Sequence, residues 1–118
     1  MNRRAYGNEG EQAACEYLLK KGWKILDRNV RRGRGEIDII ARKRKIVAFI
    51  EVKRRSTLAF GRPAEAVNIE KQKHIAHAAA LYVQEQGLEN QALRFDVVEI
   101  LAGEIRHIEG AFDTTNLF

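Results

Sequence analysis

The chain has 118 residues, 45% of them apolar and 31% charged, with a net charge of +5. That is enough chain for one hydrophobic core and too little for two, and the composition is that of an ordinary soluble globule. No apolar run approaches the ~18–20 residues that span a bilayer, and Met1-Asn2-Arg3-Arg4 runs into a polar helix with no apolar signal region, so neither a membrane-spanning helix nor a secretory signal is expected, and a cytoplasmic protein is.

The first predicted element is an amphipathic helix over residues 4–21. Ala13, Ala14, Tyr17 and Leu18 form its apolar side. Gly22 stops it, and Lys20 and Lys21 in the last turn suit the helix dipole. Cys15 is the single cysteine, which excludes a disulfide framework and a cysteine zinc site. Beside two alanines it reads as a small packed residue. Glu11 is the odd member: it shares a stripe with Ala14 and Leu18, and Gly7 and Gly10 leave room beside it for a backbone or a ligand. Two readings stay open for it, a charge at the edge of the seam reaching water and an acid aimed inward at a metal.

Residues 23–30 read as a strand with partial alternation. Arg31-Arg32-Gly33-Arg34-Gly35 reads as a basic turn. It lacks both the G-x-G-x-x-G pattern and a Walker lysine, so it is not a nucleotide loop, but its arginines suit phosphate contacts.

Residues 35–55 read as two strands joined by a short basic turn. Alternation puts Ile37, Ile39 and Ala41 on one face with Ile46, Ala48, Ile50 and Val52. The other face carries Ile40, Val47 and Phe49 near the turn, and Glu36, Asp38, Glu51 and Lys53 at the far end. With Lys43-Arg44 as the turn, Ala41 lies opposite Ile46, Glu36 opposite Glu51 and Asp38 opposite Phe49. Asp38 and Glu51 are then diagonal neighbours, ~7–8 Å apart at the backbone. Carboxylates crowded at the end of a mostly buried hairpin repel, and the usual compensation is a cation, either a metal or Lys53. The plain alternative is an exposed strand end whose charges never meet.

Ser56–Pro63 is a loop holding the single proline. Asn68 caps a helix over Ile69–Gln86 that Gly87 closes. Ile75, Ala76, Ala79, Ala80, Tyr82 and Val83 form its apolar side, with the alanines close against the sheet. Lys71 and Gln72 stand in its first turn, where free backbone N–H groups favour an anion. His74 and His77 share a face, but with no third ligand nearby they read as solvated surface residues. Residues 93–100 form a fourth strand and 104–108 a fifth, joined by Leu101-Ala102-Gly103. Asp96 inside the fourth requires a buried partner such as Arg94 or a backbone amide. Residues 110–118 form a C-terminal tail anchored by Phe112. The order helix, three strands, helix, two strands describes a single domain over residues 1–118, one sheet covered by helices.

Charge is unevenly spread. Residues 1–62 hold 17 Lys/Arg against 7 Asp/Glu, and residues 63–118 hold 4 against 9. The basic half also carries the acidic hairpin end. A polyanion partner accounts for both, with Lys and Arg on phosphates and a metal screening the acids; the alternative is a merely solubilising basic surface.

Asp38, twelve intervening residues, and then Glu51-Val52-Lys53 resemble the PD-(D/E)XK nuclease signature, although Ile37 stands where that signature has proline. The motifs GNEGEQAA, RNVR, GEIDIIA, FIEVKRR, FGRPAEAV, KQK, RFDVV and HIEGAF, in that order, resemble the bacterial YraN-type family of predicted endonucleases, which is distantly similar to archaeal Holliday-junction resolvases. The resemblance implies a restriction-endonuclease-like three-layer α/β core with a mixed central sheet. It implies a Mg²⁺ or Mn²⁺ ion held by Asp38, Glu51, the carbonyl of Val52 and Glu11. It also implies Lys53 as the residue that positions or deprotonates the attacking water. Arg31, Arg32, Arg34, Arg54, Arg55, Lys71 and Gln72 are the candidate phosphate contacts. The implied reaction is hydrolysis of phosphodiester bonds in DNA, branched DNA included, by a homodimer. The alternative is a nucleic-acid-binding module that keeps the fold without catalysis.

Overall fold

The computed structural model describes the backbone of residues 3–55 and 67–113, and the side chains of residues 9–54 and 67–113. The surroundings of Gly7, the side chain of Arg55, the loop with Pro63 and residues 114–118 lie outside the described residues. The elements are α1 (Arg3–Lys20), β1 (Lys24–Arg32), β2 (Gly35–Lys43), β3 (Ile46–Arg55), α2 (Ile69–Gln86), β4 (Ala92–Leu101) and β5 (Glu104–Phe112). The five strands form one sheet in sequence order. β1, β2 and β3 pair antiparallel, as do β4 and β5, because two-residue turns join them. β3 and β4 pair parallel, because α2 carries the chain back between them. The result is the expected three-layer α/β core with a mixed sheet.

Each helix closes one face. Ala14, Cys15 and Leu18 of α1, with Trp23, pack on Ile39, Ala41, Ala48, Ile50 and Val98. Cys15 is buried there, as its alanine neighbours suggest, and burial pushes its thiol pKa up. Ile75, Ala76, Ala78, Ala79, Tyr82 and Val83 of α2 cover Ile37, Ile40, Val47, Phe49, Phe95 and Val97. Ala78 fills the place expected of Ala80, which is exposed. The caps of α2 follow the sequence reading. The Asn68 side chain accepts from the Lys71 N–H, and Gly87 at φ 65 donates its N–H to the Val83 carbonyl. α2 also rides close on β2: a Cβ at Gly35 would run into the His74 carbonyl and come within 2.8 Å of Ala78 Cβ. That contact fixes the first half of α2 over the start of β2.

The hairpin register differs from the sequence reading. Arg44-Lys45 forms the connection, with Arg44 at φ 57, so Ala41 pairs with Ala48 and Ile39 with Ile50. The shift of two residues keeps every side chain on its face, with one exception. Ile39 packs on the α1 side, whereas Ile37 packs on the α2 side. The strand therefore turns over at Asp38, and the β2–β3 ladder stops at Ile39 and Ile50. The first basic turn is also shorter than read: Arg31 and Arg32 belong to β1, and Gly33-Arg34 alone make the turn. β4 and β5 run longer than expected around a turn of Ala102-Gly103, at φ 49 and 84. Phe112 is an anchor, but as part of β5, its ring stacked 5.1 Å from Phe95.

Asp96 is wholly buried and has the partners its position demands. Arg94 grips it with Nε and Nη2 at 2.9 and 3.0 Å, His107 Nε2 lies at 2.7 Å, and the Gly110 N–H donates at 2.9 Å. Burial alone would lift the Asp96 pKa, but these partners together outweigh it and hold the carboxyl below its usual range. Among the described residues no helix is long and apolar enough to cross a membrane.

Candidate functional site

The site forms where β2 and β3 part. Beyond Ile39 and Ile50 the Val52 N–H donates to Asp38 Oδ2 at 2.7 Å instead of continuing the ladder. The β2–β3 pairing ends one residue short of Asp38 and Glu51, and both side chains line one cavity. Burial raises the Asp38 pKa and the Glu51 charge raises it further, to about 7; Glu11 adds to the effect, while the Val52 N–H and Lys71 oppose it.

Glu51 is buried, at 7% exposure, and is matched by two ammonium groups. Lys71 Nζ lies 2.7 Å from its Oε1 and Lys53 Nζ lies 3.5 Å from the same oxygen. Burial lowers the Lys53 pKa, and its contact with Lys71 lowers it further. Burial works against the charge on Lys71 too, but Glu51, Lys53 and Asp38 together outweigh it and that pKa is raised. A cavity of about 370 Å³ opens on the group, lined by Arg34, Glu36, Asp38, Glu51, Lys71 and His74.

Glu11 approaches from α1. Its Oε2 is buried, lies 3.7 Å from Arg28 Nη2 and accepts no hydrogen bond. It is neither a solvated rim charge nor a residue gathered with Asp38 and Glu51. Among the described residues no three acids, histidines or cysteines stand close enough to hold one metal ion as they are placed. The chemistry of the donor set nevertheless suits a hard divalent cation: Asp38 and Glu51 across the strand fork, with Glu11 carrying a buried, unbonded oxygen. The positive charge that Glu51 and Glu11 now meet comes from Lys71, Lys53 and Arg28.

The candidate phosphate contacts divide. Arg34 is exposed and lines the cavity. Arg31 reaches back to Glu36 at 3.2 Å, at the cavity rim. Arg32 turns away to Glu85 at 2.7 Å, and that carboxylate raises its pKa. Arg54 faces Glu9 on the α1 side at 3.6 Å. Gln72 Nε2 donates to the Val67 carbonyl at 2.9 Å, which fastens the start of α2. His77 is exposed as expected, whereas the half-buried His74 lines the cavity, which corrects its reading as a solvated residue. The signal for His74 was its place three residues after Lys71, on the same helical stripe.

Residues 10–100 match the profile of the uncharacterised protein family UPF0102. A UPF0102 protein of Caldicellulosiruptor saccharolyticus is 48% identical over 100 residues, covering 85% of each chain. One of Clostridioides difficile is 46% identical over 114 residues, covering 95% of this chain and 100% of the relative. One of Myxococcus xanthus is 41% identical over 115 residues, covering 94% and 91%.

Proposed function

This chain belongs to the uncharacterised protein family UPF0102, and on that footing we propose that it is a metal-dependent endonuclease that hydrolyses phosphodiester bonds in DNA. UPF0102 is the YraN-type family that the motifs resemble. The observation that carries the reading is the strand fork. It gathers Asp38 and Glu51 in one cavity, with Lys71 and Lys53 on Glu51 and Arg34 at the cavity wall. Ordinary solvated charge does not raise a carboxyl pKa to about 7.

Asp38 and Glu51 would hold a Mg²⁺ or Mn²⁺ ion, with Glu11 and the carbonyl of Val52 as further oxygen donors. Such an ion, when bound, polarises the scissile phosphate and lowers the pKa of a bound water. The chain supplies the rest. The Val52 N–H fixes one oxygen of Asp38 and so aims the other. Lys53 lies on the Glu51 face, and as the ammonium it would orient the attacking water and balance charge on the transition state. Because burial and Lys71 lower its pKa, it could first release that proton to solvent and then, as the neutral amine, take one from the water. Arg34 and Lys71 line the cavity where phosphate oxygens would enter. Branched DNA is the substrate class that the resolvase likeness favours. A homodimer in the cytoplasm belongs to the same proposal, since a junction presents two symmetric strands to cut.

The test incubates purified protein with branched, flapped and duplex DNA and Mn²⁺. Asp38→Asn or Lys53→Ala should abolish cutting and leave binding in place; if both variants cut like wild type, the site is wrong. One observation favours a second reading, a binding module without catalysis: no three acids are gathered for a metal among the described residues. Calorimetry separates the two, because only the nuclease reading requires Mn²⁺ heat that depends on Asp38 and Glu51.

A further inference from the structure

Two cations contend for one oxygen of the site. Lys71 Nζ bonds Glu51 Oε1 at 2.7 Å, and Lys53 Nζ stands 3.5 Å from it. The Glu51 side chain is only 8% exposed, so water screens little. A divalent ion bound to the same oxygen would strongly repel an ammonium in contact with it. The two lysines are not equivalent. Lys53 is rooted in β3 and is the more buried, while Lys71 reaches in from the first turn of α2 and lines the open cavity beside Arg34. The Asn68 side chain holds the Lys71 N–H, so the Lys71 backbone stays in place while its long side chain swings.

Building on the nuclease reading, we propose that Lys71 is a placeholder cation: it neutralises Glu51 until a divalent ion takes that oxygen, and the released ammonium then binds a phosphate oxygen of the nucleic acid. The exchange is one cation for another, with no bond made or broken. Its consequence is positive cooperativity. Ion and phosphate each bind more tightly once the other is present, and by the same factor. The protein thus holds its metal poorly without substrate and well with it.

The experiment titrates Mn²⁺ into the full chain by calorimetry, with and without a short phosphorothioate duplex that resists cutting. Wild type should bind Mn²⁺ on the order of tenfold more tightly with the duplex. Lys71→Met should bind Mn²⁺ alone more tightly than wild type by a similar factor and lose most of the gain from the duplex. A wild-type measurement guards against misfolding of the variant: Mn²⁺ should speed acetylation of Lys71, read by mass spectrometry, relative to Lys20 and Lys24. If Mn²⁺ binds but Lys71 labelling does not change, or if Lys71→Met keeps the wild-type affinity and duplex effect, the placeholder is overturned and the nuclease reading stands. If neither protein binds Mn²⁺, both fall.

Discussion

Asp38→Asn should stabilise the metal-free protein at neutral pH. The Asp38 pKa is raised from 3.8 to about 7, by burial first and by Glu51 second. A raised carboxyl pKa means that the folded chain keeps a proton which the unfolded chain has already released. Stability therefore falls as pH rises from about 4 to about 7, and levels off above. Three pH units at 1.36 kcal/mol each set a ceiling of about 4 kcal/mol on the cost carried at pH 8. Glu51 shares part of that cost, and asparagine gives the Val52 N–H a weaker, neutral acceptor, worth about 1 kcal/mol less. The expected net gain is about 2 kcal/mol, or a rise of roughly 1 M in the urea midpoint. Urea unfolding with a chelator between pH 5 and 8.5 measures it. Wild type should lose stability from pH 5 to about 7 and then level off, while Asp38→Asn stays nearly flat throughout, and Mn²⁺ should reverse the order. An Asp38→Asn variant no more stable than wild type at pH 8 would refute the electrostatic account of the fork.

Three further outcomes follow from the packing. Gly35→Ala should cost about 3 kcal/mol, because its Cβ meets the His74 carbonyl and Ala78, and the urea midpoint should drop with the slope unchanged. Asp96→Ala should cost about 3 kcal/mol in the same assay by leaving Arg94 and His107 facing an empty buried place. Arg34→Ala should weaken DNA binding and reduce the salt slope by about 1, whereas Arg32→Ala should change neither, since Arg32 is engaged with Glu85; filter binding across a salt series compares them.

What the sequence made legible was local. Asn68 and Gly87 name the ends of α2 through their own side-chain and backbone chemistry, and the structure puts the ends there. The layer order followed from which stretches alternate and which do not. The hairpin register was out of reach for a definite reason. Residues 42–45 are all basic, so nothing in them prefers Lys43-Arg44 over Arg44-Lys45 as the turn. The two alternatives differ by two residues, a shift that leaves each side chain on its face, so apolar patterning cannot distinguish them. Ile37 escaped because the strand turns over at Asp38, a local twist with no compositional mark. The grip of Lys71 on Glu51 and the place of His74 depend on how α2 docks on β2, which Gly35 permits but does not announce. The acid pair itself could be read because its spacing lies within one hairpin.

The Asp38 carboxylate stands where the β2–β3 ladder breaks off and receives the Val52 N–H. One side chain thus does a backbone carbonyl's work and, in the nuclease we propose, would do a ligand's work as well, and side-chain length becomes part of the fold. Glutamate would keep the charge yet overshoot the amide, and alanine would forfeit both duties at once. Asparagine keeps the reach and drops the charge. Drift at this position is constrained twice, so the fork would resist even those changes that a protein released from catalysis could accept.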